Sequence, residues 1–139
     1  LPNVTQVNPK KMQYNYQIIK EHGLIIETVQ GHVTLKELAE KTQTLIEDND
    51  YDNTYEGVID LRMANAEVTM EELNEFADYI NQSGLFANSI WALLVDDPMV
   101  FALGQAFLLH LPNGAALKVF DNIESAAAFL RKPEIKDYL

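Results

Sequence analysis

The chain has 139 residues, with 21 acidic and 10 basic side chains and a formal net charge of −11. So acidic a chain offers no cationic cluster to displace counterions from nucleic acid, and an anionic membrane surface repels it. Hydrophobic content of 47% without cysteine predicts one ordinary soluble globule, with disulfide and thiol chemistry excluded and a cytoplasmic setting expected.

Residues 1–13 are polar, contain two prolines and lack periodicity, so they read as a loose lead-in. Leu1 to Thr5 has neither a basic nor a long apolar stretch, which predicts no secretory signal there. Tyr14–Lys20 alternates like a strand. Glu21-His22-Gly23 is a turn signal, and Leu24–Val29 is a second strand, making a hairpin that Gln30-Gly31 is expected to break. Thr34-Leu35-Lys36-Glu37 forms a capping box before a helix that turns Leu35, Leu38, Ala39, Thr42, Leu45 and Ile46 inward. That helix dissolves in the polar run 47–53. Its Asp48, Asp50 and Asp52 have the opening spacing of a calcium loop, but the sixth position is Asn53 and the twelfth Ile59. A solvated loop is the expectation.

Gly57–Leu61 is a third strand, apolar enough to be central. Thr69-Met70-Glu71-Glu72 is a second capping box. Its helix buries Met70, Leu73, Phe76, Ala77 and Ile80, and ends at Ser83-Gly84. Ile90–Val95 is a buried strand. Asp97-Pro98 opens a third helix reaching about His110, with proline where its missing amide costs nothing. Ala116–Phe120 is the fifth strand, and Asp121-Asn122-Ile123-Glu124 caps a fourth helix that Pro133 closes. No stretch reaches the ~18–20 apolar residues that span a bilayer. The predicted order is β-β-α-β-α-β-α-β-α: one α/β domain over 14–132 with a mixed five-stranded sheet, four helices and a tail at 133–139.

This order and the strand Val58-Ile59-Asp60-Leu61 followed by a helix resemble the STAS domains of anti-sigma-factor antagonists, and the tail segment Val119–Leu130 resembles their SpoIIAA-like branch. The likeness is closer to the divergent SpoIIAA-like branch, sometimes grouped with lipid-binding CRAL-TRIO domains. The resemblance implies a non-enzymatic regulatory or protein-interaction module, or alternatively a carrier of a lipid-like small molecule. Antagonist STAS domains share an Asp-Ser-Ser-Gly-like segment with a phosphorylated serine at the start of the second helix. Here the segment is Glu67-Val68-Thr69-Met70-Glu71, so Thr69 is the sole candidate phosphoacceptor. Three nearby glutamates repel a phosphate there, and a plain helix cap is its expected role.

Asp60, Arg62, Asp96 and Asp97 end two neighbouring strands and are expected to meet at the carboxyl edge, as a polar site or as structural ion pairs and caps. His22, His32 and His110 have no metal-ligand spacing. No serine sits in a nucleophile elbow, and no glycine-rich phosphate loop occurs. Neither catalytic residue, metal nor cofactor is expected, although a hydrolase with dispersed carboxylates leaves no motif. The third helix is the anomaly, because Pro98–Leu111 has almost no polar face. Met99, Phe101, Leu103, Phe107, Leu108 and Leu111 cannot all meet one sheet, so they are expected to meet a homodimer partner, another protein, an apolar ligand, the lead-in or a neighbouring helix.

Overall fold

The computed structural model describes residues 11–112 and 116–139. Five strands form one sheet in the spatial order of the sequence: β1 (Gln13–Ile19), β2 (Leu24–Val33), β3 (Glu56–Ala66), β4 (Trp91–Leu94) and β5 (Leu117–Phe120). β1 and β2 pair antiparallel through a short 3-10 turn that Gly23 closes in the left-handed region, at φ 56°. All later neighbours are parallel. The crossovers are α1 (Leu35–Ile46), α2 (Met70–Ser83) and α3 (Pro98–Leu108), and α4 (Ile123–Leu130) follows the last strand. This is the α/β class, strand count and helix count that the sequence predicts.

Parallel crossovers of one hand between strands laid down in order put every crossover helix on the same face. Leu45 of α1, Leu73 and Ile80 of α2 and Phe107 of α3 accordingly share a core with Ile25, Trp91 and Leu117. The opposite face, carrying Leu24, Ile26, Val58 and Leu94, is covered by Ala126, Ala127 and Leu130 of α4. Residues 133–139 also belong to this layer: a 3-10 turn at Pro133–Asp137 seats Ile135 fully buried against it. The stretch read as a tail is therefore part of the packed domain.

Two strands run further than the sequence suggests. Gln30-Gly31 does not break β2, because Gly31 takes φ 85° within the ladder and the strand continues to Val33. β3 passes its charged residues and reaches Ala66. Between Thr28↔Asp60 and Gln30↔Met63 the ladder carries one extra residue on β3, a bulge at Leu61-Arg62. The bulge shifts the alternation, so Ala64 and Ala66 join Ile59 and Leu61 on the three-helix face. A simple two-residue period sends them the other way.

The caps account for the helix starts. Thr69 accepts from the Glu72 amide while Glu72 accepts from that of Thr69, a complete box on α2. At α1, Thr34 accepts from the Glu37 amide, but the Glu37 carboxylate takes the Thr34 hydroxyl rather than its amide. Half of the expected box is thus replaced by a side-chain bond. Asp97 caps α3 and Asn122 caps α4.

Candidate functional site

The site grows from one residue that breaks an apolar run. In Leu24-Ile25-Ile26-Glu27-Thr28-Val29, alternation puts Glu27 on the same face as Ile25 and Val29, under the three helices. It is 2% exposed. Its cross-strand neighbour is Tyr16, and the diagonal Tyr14 hydroxyl donates to Glu27 Oε1. Oε2 has no hydrogen-bond partner among the described residues. Burial pushes the Glu27 carboxyl up to about 7, with the Tyr14 hydrogen bond offsetting part of the rise. Burial and then the adjacent Glu27 charge push the Tyr14 hydroxyl far upward, so it stays a donor at any physiological pH.

Glu27 forms part of the wall of a cavity of about 110 Å³ between sheet and helices. The sheet supplies Val33, Ile59, Leu61, Ala64, Ala66 and Leu93. α1 contributes Leu35, Leu38 and Thr42, and α2 contributes Leu73, Phe76 and Ile80. Val100, Leu103, Gly104 and Phe107 of α3 close it. Thr42 is the other polar side chain in this wall, and its hydroxyl already donates to the Leu38 carbonyl at 2.8 Å. No basic side chain is among the lining residues described. The half-buried Leu35, Ala66 and Val68 lie where a strand finishes or a helix begins. The cavity therefore reaches toward the carboxyl edge, where open parallel sheets bind ligands.

The third helix splits between this cavity and the surface. Phe107 is buried, and Leu103 faces the cavity with it. Phe101, Leu108 and Leu111 are half-buried, the last two packed against the same core. Met99 is 62% and Leu109 85% exposed. The close approach of α3 to the sheet rests on Gly104, where a Cβ would stand 3.1 Å from Val119.

The structure brings Asp60 and Arg62 together. Nε and Nη2 of Arg62 each lie 3.0 Å from a different carboxylate oxygen of Asp60, and the Arg62 amide also donates to Oδ1. Asp60 is buried on the face of Val58, opposite the cavity. The hydrogen bond to Asp60 holds the Arg62 guanidinium charged, with Asp96 a smaller electrostatic influence. Asp97 points its oxygen at the Met99 amide, 2.7 Å away. Arginine and cap bonds thus occupy Asp60 and Asp97. Replacing Arg62 with Met strands the Asp60 charge, and a loss of about 1–2 kcal/mol is expected in urea unfolding, discounted because a third of the arginine is exposed.

Thr69 is engaged as the α2 cap, and His22 meets Glu134 at 3.4 Å. In the acidic loop, Asp48 accepts from the Tyr16 hydroxyl and the Asp50 amide, Asp50 pairs with Lys20, and Asp52 accepts from Thr54. No three His, Asp or Glu side chains among the described residues are grouped to hold a metal. No described helix is long and apolar enough to cross a membrane. Residues 1–10 of the lead-in lie outside the described residues, and with them most of the segment expected to cover α3.

Sequence reading missed Glu27 and Tyr14. The signal was present: a single carboxylate at an inward position of β2, beside a strand whose inward positions carry two tyrosines. Compared with known proteins, the chain matches no family model and no curated protein.

Proposed function

We propose that this domain binds a small apolar molecule between its sheet and the helices α1, α2 and α3. The observation that carries the reading is the apolar cavity with one unpartnered carboxylate oxygen in its wall. Protein interiors seldom leave either a sizeable void or an orphan buried oxygen, because each costs stability. Together they describe a site that a ligand completes. The resemblance to CRAL-TRIO domains agrees with the class of ligand, although about 110 Å³ suits a compact molecule and not a long acyl chain. Cavities of about 150 Å³ take up benzene.

Ala64 faces the cavity from β3 and is 7% exposed. Ala64→Leu fills the space without adding a polar group. The variant is expected to unfold at the same temperature or higher, and to lose a toluene-dependent rise in Tm that the wild type shows. At a hundredfold excess over Kd that rise corresponds to about 2.7 kcal/mol. An equal rise in both proteins puts toluene elsewhere, and no rise in either rejects the reading.

A second reading, a homodimer or partner contact through α3, draws on the exposure of Met99 and Leu109. Leu109→Asp tests it. A contact surface predicts conversion to folded monomers, whereas a monomeric wild type rejects the homodimer.

A further inference from the structure

The cavity wall carries more information than its apolar character. Among the described lining residues its polar side chains are Glu27 and Thr42, and the Thr42 proton is committed to the Leu38 carbonyl. Of the Glu27 carboxyl, Oε1 accepts from Tyr14, and Oε2 is buried without a hydrogen-bond partner among the described residues. One polar atom of a ligand can be satisfied here, and little more.

This count discriminates between ligand headgroups. A carboxylate finds no basic side chain among the described lining residues and stands beside another carboxyl. An alkylammonium brings three donors to Oε2 and the Thr42 hydroxyl oxygen, leaving at least one buried without an acceptor. A pure hydrocarbon leaves Oε2 as orphaned as before. A hydroxyl both donates and accepts, so it pairs with Oε2 whether or not Glu27 carries its proton.

We infer that the ligand of this cavity is a compact hydrocarbon bearing one hydroxyl group, a phenol or short-chain alcohol about one ring in size, whose oxygen meets Oε2 of Glu27. The inference rests on the apolar-ligand reading and narrows it. Thr42 Oγ1 keeps lone pairs free to accept from a second donor, but the ligand does not require one.

Phenol and toluene are nearly isosteric, and their comparison is the test. In a wholly apolar cavity toluene binds better, because phenol leaves its hydroxyl without a partner. Calorimetric titration of the wild-type protein is expected to give saturable one-to-one binding, with phenol at least as tight as toluene. In Glu27→Leu, or in Tyr14→Phe/Glu27→Leu if the single change leaves Tyr14 unpaired and the protein unfolded, phenol is expected to weaken at least tenfold relative to toluene. Tighter toluene than phenol in the wild type overturns the hydroxyl assignment while the apolar-ligand reading stands. A phenol-to-toluene ratio unchanged in a folded Glu27 variant also overturns it. Binding of neither molecule overturns both.

Discussion

Replacing Glu27 with Gln makes the protein more stable at pH 8, by about 1–2 kcal/mol, and removes a fall in stability that the wild type shows as pH rises. The Glu27 carboxyl titrates near 7 in the folded protein against 4.5 for the ordinary group. Between those values the folded chain holds a proton that the unfolded chain has released. Stability therefore falls as pH climbs through this window, by about 3 kcal/mol once both forms are ionised. The penalty is absent below about pH 4.5 and complete above about pH 7. Gln keeps an oxygen for the Tyr14 hydroxyl but buries an unpaired amide, so the net gain is smaller than the whole penalty. Asp48 and Asp52 are shifted the other way, by the Asp50 amide and by Thr54 respectively. Their contribution is lost only as pH drops below the usual carboxylate range, outside the window that Glu27 controls. Urea unfolding of both proteins from pH 4.5 to 8 checks this. Curves diverging toward high pH are expected, and parallel curves contradict it.

Gly57→Ala is expected to cost about 3 kcal/mol or more, a large effect for one methyl group. Gly57 lies beside Trp91 in the β3–β4 register, and the indole covers its Cα. A Cβ there would stand 2.3 to 2.5 Å from three ring atoms. The indole has nowhere to go: Trp91 is fully buried, Phe86 packs edge-on at 5.5 Å, and Nε1 donates to Ser89 Oγ at 3.1 Å. Relief has to come from displacing β3 against β4 at the centre of the sheet. Shrinking the ring instead relieves the clash, so Trp91→Leu is expected to cost less in the Gly57→Ala background than in the wild type. A double-mutant cycle with no coupling would falsify this account.

Much of this architecture was legible because local chemistry and burial agree. Asp97-Pro98 and Thr69 to Glu72 announce helix starts, and Ile90–Val95 is too apolar to be anything but interior. The crossovers between successive strands then fix both the parallel sheet and the face its helices cover. The ends of β2 and β3 were less legible. A glycine and a charged pair resemble strand breakers, yet Gly31 supplies a positive φ inside the ladder and Arg62 turns back onto Asp60 through the bulge. One bulge reverses the inward set beyond it, which is why Ala64 and Ala66 gave no sign of facing a cavity.

The third helix shows the same limit. Its apolar surround marks no single inward stripe. Which of its sides meets core, cavity or solvent depends on how closely Gly104 lets the helix approach Val119 and Leu93. The site was hidden for a further reason. A cavity is the space that side chains from six elements fail to fill, and no sequence pattern encodes such a shortfall. Glu27, beside the inward tyrosines of β1, was its local trace.

The central claim is that the cavity beneath α1, α2 and α3 takes up a small apolar molecule, and methyl NMR during a toluene titration tests it most directly. Saturable shifts confined to methyls of the cavity wall, Leu38, Ile59, Leu93 and Leu103 among them, with Leu109 and Met99 unmoved, are the predicted result. Shifts confined to Met99 and Leu109, or no saturable shift at any methyl, contradict it.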